Sequence, residues 1–310
     1  MHLFIKQALT GDNHWWKYIL TIFIVFFFIQ IGTIPLIFVA YIYATDMNQF
    51  MLAAQTNFMN LGINSNLFLF LIIFSFLVGL ITLLVCVKWI HNRLIKTIFT
   101  SRNKIDWRRI GYGFMVWSFV AVGTILVQIN TFPENYEWNF KLVPFLILVG
   151  ISLLLIPFQT TLEELLFRGY LMQGLGLLFR SAWMPLLITS VSFGLLHGAN
   201  PEVEKLGNIV MVYYIGTGFM FGITTLMDEG AELAIGMHAA NNIIAAMLVT
   251  SDWMVFQTDA LYKDISEPQV NIEALFPVLV VYPILLLIFA KKYQWNQWSE
   301  RLFGMVSDDK

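Results

Sequence analysis

Among the polar side chains in the apolar second half of this chain are Glu163, Glu164, Arg168, His197, His238 and Asn242. Carboxylates and imidazoles move protons, so the chemistry open to them is general acid–base catalysis or proton relay. Glu164 and Arg168 are four apart, so on a helix they share a face and pair. Glu163 points about 100° away from Glu164. One carboxylate can then be held by the arginine while the other faces a cavity. Phe193 and His197 are four apart, and so are His238 and Asn242. Each feature also has a plainer reading: an ion pair at a membrane edge, or an imidazole or amide joining two helices. Three such constellations within one hundred residues argue against the plain reading of all of them.

The elements that carry these groups must lie in lipid. Of 310 residues, 58% are hydrophobic and only 12% are charged. Soluble domains carry about 25% charged residues. The expected fold is therefore an all-α, polytopic membrane bundle of about eight transmembrane helices, each about 20 apolar residues long. The spans are expected near 18–43, 67–90, 110–129, 142–162, 183–198, 207–227, 232–250 and 274–290. Trp15, Trp16, Trp295 and Trp298 fit interfacial belts. The 88–109 loop holds Lys88, Arg93, Lys96, Arg102, Lys104, Arg108 and Arg109, whereas the loops near 44–66, 130–141 and 251–273 hold at most one lysine each. The positive-inside rule then places both termini in the cytoplasm. A single cysteine, Cys86, excludes an intramolecular disulfide. No phosphate-binding glycine loop or nucleic-acid motif is present, so membrane lipids are expected partners and nucleic acid is not. If the helix begun near Leu142 continues to about Phe179 and turns at Arg180–Ser181, Glu163–Glu164 and His197 lie almost equally far from the turn. They can then face each other.

Glu163-Glu164-Leu165-Leu166-Phe167-Arg168, Phe193-Gly194-Leu195-Leu196-His197 and His238-Ala239-Ala240-Asn241-Asn242 form an ordered set. They resemble the EExxxR, FxxxH and HxxxN motifs of the CPBP (CAAX protease and bacteriocin-processing, or Abi) family of intramembrane proteases. The resemblance covers roughly 142–250. It divides the chain into N-terminal helices (1–141), a CPBP-like catalytic core (142–250), and a loop, last helix and tail (251–310). It implies endoproteolysis in a polar cavity, with a peptide or protein substrate, lipidated or membrane-embedded. No serine dyad, GxGD or HExxH motif accompanies these residues; Gly150-Ile151-Ser152 is only a weak echo of a rhomboid GxS. Water is then the nucleophile. Glu163 with His197 is expected to deprotonate it, and Glu164, braced by Arg168, to orient the site. His238 and Asn242 are expected to bind the oxyanion, and Phe193 to orient His197 by packing. The family is often called metalloproteases, and a divalent metal such as zinc held by Glu163, Glu164, His197 and His238 stays open. The asparagine of the third motif favours hydrogen bonding over ligation. Two other readings stay open: a proton-coupled transporter, and a non-catalytic membrane adaptor or bacteriocin self-immunity protein.

Overall fold

The structure, a computed structural model, describes residues 2–268 and 275–307. The expected start of the eighth span, at Ala274, lies outside them. The chain is mostly helical. The principal helices are α1 (Trp15–Gly32), α2 (Ile34–Tyr43), α3 (Ser65–Trp89), α4 (Trp107–Thr131), α5 (Leu142–Phe179), α6 (Trp183–Leu196), α7 (Pro201–Leu206), α8 (Ile209–Asp228), α9 (Glu232–Leu248) and α10 (Tyr282–Tyr293). Five segments among the described residues are long and apolar enough to cross a membrane: Trp15–Tyr43, α3, α4, α5 and α8. The other three expected spans fall on α6, α9 and α10, which are shorter or less apolar. Large apolar side chains such as Phe23, Phe27, Phe119, Leu154 and Leu287 point outward. Water would not tolerate so extensive an apolar surface, but lipid does. The protein is a multi-pass membrane protein.

Local chemistry explains the breaks. The first span bends between α1 and α2 at Thr33, where Pro35 contributes no N–H to the ladder. In α5, Pro157 removes another backbone donor, and the Thr160 hydroxyl caps the nearby carbonyls of Ile156 and Pro157. Directly after Glu164, the helix widens into a π segment, Leu165–Leu171. Such widenings carry weaker hydrogen-bond geometry and recur at functional sites. The helix ends at Arg180, which adopts the left-handed conformation with φ 50°. Its return partner, α6, begins at Trp183. The hairpin expected from the sequence is therefore formed, with its turn at Arg180–Ser181.

Close helix contacts rest on three glycines. A Cβ at Gly236 would collide with the Ile110 carbonyl, and one at Gly113 would lie 2.5 Å from the Leu233 carbonyl. These two fix α9 against α4. A Cβ at Gly218 would lie 2.5 Å from the Ser190 carbonyl, which sets the approach of α8 to α6.

The all-α expectation omitted a small feature. Three short strands, β1 (Tyr136–Trp138), β2 (Val249–Thr250) and β3 (Tyr262–Asp264), pair in the order β1–β3–β2 at one end of the bundle. The β1–β3 pairing is antiparallel, and β2–β3 is parallel. Pairing satisfies backbone groups in connections that leave the helices.

The other end is tied by ions. Arg102 donates to Asp228 at 2.9 Å and to Glu232 at 3.0 Å, and Arg109 also pairs with Asp228. Both acids are buried at the turn between α8 and α9. Part of the basic 88–109 loop is thus committed to the protein's own carboxylates.

Candidate active site

The site is assembled where α5, α6, α8 and α9 meet. Arg168, on the π segment, is fully buried. It donates to Glu164 Oε1 at 3.1 Å and to the Gly218 carbonyl at 3.2 Å. The second bond explains why residue 218 lacks a side chain: α8 must come close enough to present its backbone. The guanidinium also stands over the Phe193 ring, 4.2 Å from its centroid. That contact is a cation–π interaction away from water.

His238, on α9, is buried and completes this group. Its Nδ1 lies 2.7 Å from Glu164 Oε1, and a carboxylate oxygen can only accept, so Nδ1 carries the proton. Its Nε2 points to Glu163, 3.7 Å from Oε2. The ring is flanked by Phe193 and Phe221. Glu164 is thus held between Arg168 and His238, and orients the imidazole as second-partner carboxylates orient catalytic histidines.

Glu163 is the other carboxylate. Its Oε1 accepts from Gln159 Nε2 at 3.1 Å, while the buried Oε2 has no hydrogen-bond partner among the described residues. Glu163 lines a cavity of about 610 Å³ together with Gln159, His197, Tyr214, His238 and Asn242. His197 is half-buried just after the end of α6. Its Nδ1 lies 2.8 Å from the Phe193 carbonyl, so Nδ1 donates and Nε2 keeps its lone pair. The ring stacks on Tyr214 at 4.4 Å between centroids. His197 makes no hydrogen bond to either glutamate among the described contacts; it shares their cavity instead.

Asn242 sits one helical turn beyond His238. Its Nδ2 reaches Gln159 Oε1 at 3.4 Å, and its Oδ1 accepts from Asn241 Nδ2 at 3.0 Å. Asn241 Oδ1 in turn accepts from Trp117 Nε1 at 3.1 Å. The amides therefore form one directed series from Trp117 through Asn241, Asn242 and Gln159 to Glu163. Sequence reasoning missed Gln159, Asn241 and Tyr214. Gln159 had a legible signal: it is polar, in an apolar run, four residues before Glu163. Tyr214 had none, because an aromatic residue in an apolar helix reads as core.

The residues do not fit a metal set as they stand. No group of three or more His, Cys, Asp or Glu among the described residues is gathered closely enough to hold an ion. Glu164 Oε1 is engaged by Arg168 and His238.

Comparison with known proteins agrees with the motifs. The uncharacterized protein YyaK of Bacillus subtilis (strain 168) is 28% identical over 304 residues, covering 96% of this chain and 99% of that protein. No solved structure gives a significant match. Residues 141–244, which hold all the motif residues above, match the family model for type II CAAX prenyl endopeptidase, Rce1-like proteins, a match consistent with the CPBP family.

Proposed function

We propose that the protein is a CPBP-type intramembrane endopeptidase that hydrolyses a peptide bond with water activated in the cavity between Glu163 and His197. The observation that carries this reading is the asymmetry of the paired carboxylates. Glu164 is occupied by Arg168 and His238, whereas Glu163 Oε2 accepts no hydrogen bond among the described residues and lies at the cavity wall, 3.7 Å from His238 Nε2. A water molecule has two hydrogens, and Glu163 Oε2 and His197 Nε2 are two acceptors for them.

In the proposed reaction, Glu163 removes one proton as the water oxygen attacks the scissile carbonyl carbon. The carbonyl π electrons move to oxygen and form a tetrahedral oxyanion. Asn242 Nδ2 and His238 Nε2–H donate to that oxygen. His238 acts here as an imidazolium, since its Nδ1–H is already given to Glu164. Its positive charge and that of Arg168 balance Glu163 and Glu164, so the site is neutral overall in a medium where net charge is costly. The protonated Glu163 then returns its proton to the leaving nitrogen as the C–N bond breaks. The second water hydrogen passes from the product acid to His197 Nε2, so the products are a carboxylate and an amine. The substrate is a peptide or protein, lipidated or membrane-embedded, bound beside membrane lipids. Both termini are cytoplasmic in this reading, which rests on the distribution of lysine and arginine.

The test is cleavage of a peptide library, with lipidated members, by the purified protein in detergent. Mass spectrometry identifies the cuts. Wild type cleaves, and Glu163→Ala and His197→Ala, matched for folding, do not. Cleavage retained in both variants overturns the assignment.

A further inference from the structure

The cavity reaches from the interior of the bundle to one of its ends. Beyond the proposed catalytic residues, its walls include Phe26 and Gln30 on α1 and Phe76 on α3, and, at that end, Asn200 and Leu206 between α6 and α8 and Trp253 and Phe256 after α9. No residue of the 88–109 loop, the α8–α9 turn or the C-terminal 295–307 segment lines it. Toward that opposite end, the site is sealed by core packing. Leu165, Leu166 and Phe167 pack with Ile98, Val87 and Phe4.

The mouth is also structured. Glu202 accepts from Asn200 and Tyr214 through one oxygen. It accepts from the Val255 backbone N–H at 3.1 Å through the other. This carboxylate ties the connection after α6 to the connection after α9. Tyr214, bound to the same glutamate, stacks on His197. The opening is thus mechanically joined to a proposed water-binding residue.

The two ends differ in charge. At the open end, the lysines and arginines of the described residues are Lys141, Lys205 and Lys263. The sealed end carries Lys6, Lys88, Lys96, Lys104, Arg108, Lys291 and Lys292, with further arginines in the ion pairs described above. Cytoplasmic connections are enriched in lysine and arginine. The sealed end is therefore the cytoplasmic one, and the cavity faces away from the cytoplasm.

We infer that the catalytic cavity opens on the non-cytoplasmic face of the membrane, and that its substrate is a peptide segment of an exported protein with apolar side chains that enter the cavity from that face. The inference rests on the protease reading for the word substrate, but the sidedness stands on the cavity and the charges alone. A protein lipidated and retained in the cytoplasm would meet the sealed end.

Cys86 is the sole cysteine and is buried, so a Cys86→Ala background gives clean single-cysteine variants. Leu206→Cys and Trp253→Cys report the mouth, and Lys104→Cys reports the opposite end. None of these positions belongs to the proposed catalytic machinery. Cells expressing each variant are treated with a charged, membrane-impermeant maleimide before and after permeabilisation. The expected result is that the two mouth cysteines label in intact cells, and that Lys104→Cys labels only after permeabilisation. The reverse pattern overturns the inference. Wild type and the Cys86→Ala parent, whose cavity walls are intact, are assayed for peptide cleavage in detergent, where sidedness has no effect. Correct labelling with no cleavage counts against the protease reading alone; cleavage with reversed labelling counts against the sidedness alone.

Discussion

Gln159 holds two reacting groups with one amide, donating to Glu163 and accepting from Asn242. Leucine has a similar size and suits the buried position, so Gln159→Leu should fold while freeing both partners. Small misplacements of catalytic groups cost about 10²-fold in rate. The expected outcome is a loss of about that size in kcat with KM little changed, measured on any peptide the wild type cleaves. Equal loss in kcat and thermal stability would instead indicate a purely structural role. At this scale, the sequence was most legible where spacing alone decides a contact. The Glu164–Arg168 pair follows from i, i+4 geometry and is formed. The contact of His238 with Glu164 was not legible, because it joins residues 74 apart in sequence through the packing of α9 on α5. Phe193 was expected to orient His197 by packing; the two rings lie 4.7 Å apart between centroids, and the Phe193 backbone carbonyl accepts from the imidazole. Its ring also touches Arg168 and His238, contacts no spacing rule supplies.

Element geometry brings these groups to one cavity. The long α5 helix and its turn at Arg180 bring Glu163 and the end of α6 together, as hydropathy and residue counting implied. The π segment was not readable from sequence, since no residue type specifies an i→i+5 turn. Gly236 makes the next contact possible by letting α9 approach the α4 backbone. Alanine there gains helix propensity of about 1 kcal/mol but collides with a carbonyl that has no freedom to swing aside. Overpacking of this kind costs about 1–3 kcal/mol. Gly236→Ala should therefore lower the thermal midpoint in detergent. It should also lower activity, because α9 carries both His238 and Asn242. A midpoint equal to or above the wild type would show that the α4–α9 contact is looser than described.

The molecule as a whole has a sealed end, opposite the cavity mouth, held by buried polar groups. His91, just beyond α3, is fully buried, with Nδ1 on the Asp12 carbonyl and Nε2 on the Tyr170 hydroxyl. Burial, aided by Arg93 and Lys17, holds its pKa below the ordinary value of 6.5. His2 is shifted down in the same way by burial. Below about pH 6.5 the unfolded chain takes up protons at these rings that the folded chain refuses, so stability falls on acidification and is fully retained above that pH. The thermal midpoint in detergent should drop between about pH 7.5 and about pH 5.5. A His2→Gln/His91→Gln double variant should lose less over the same interval. An equal drop in both proteins would assign the acid sensitivity to other groups. Composition alone made the membrane character legible. The ion-paired turn at Asp228 and Glu232 was not, because the sequence cannot show that Arg102 and Arg109 reach across from another connection.

The central claim is that Glu163 is the base that activates water. The most direct measurement is the cleavage rate of Glu163→Gln against wild type in detergent, on a peptide identified by mass spectrometry, at matched folding. Glutamine preserves size and the contact with Gln159 but cannot accept the proton. A fall of about 10²–10⁴-fold in kcat is predicted. Wild-type turnover by Glu163→Gln would contradict the account.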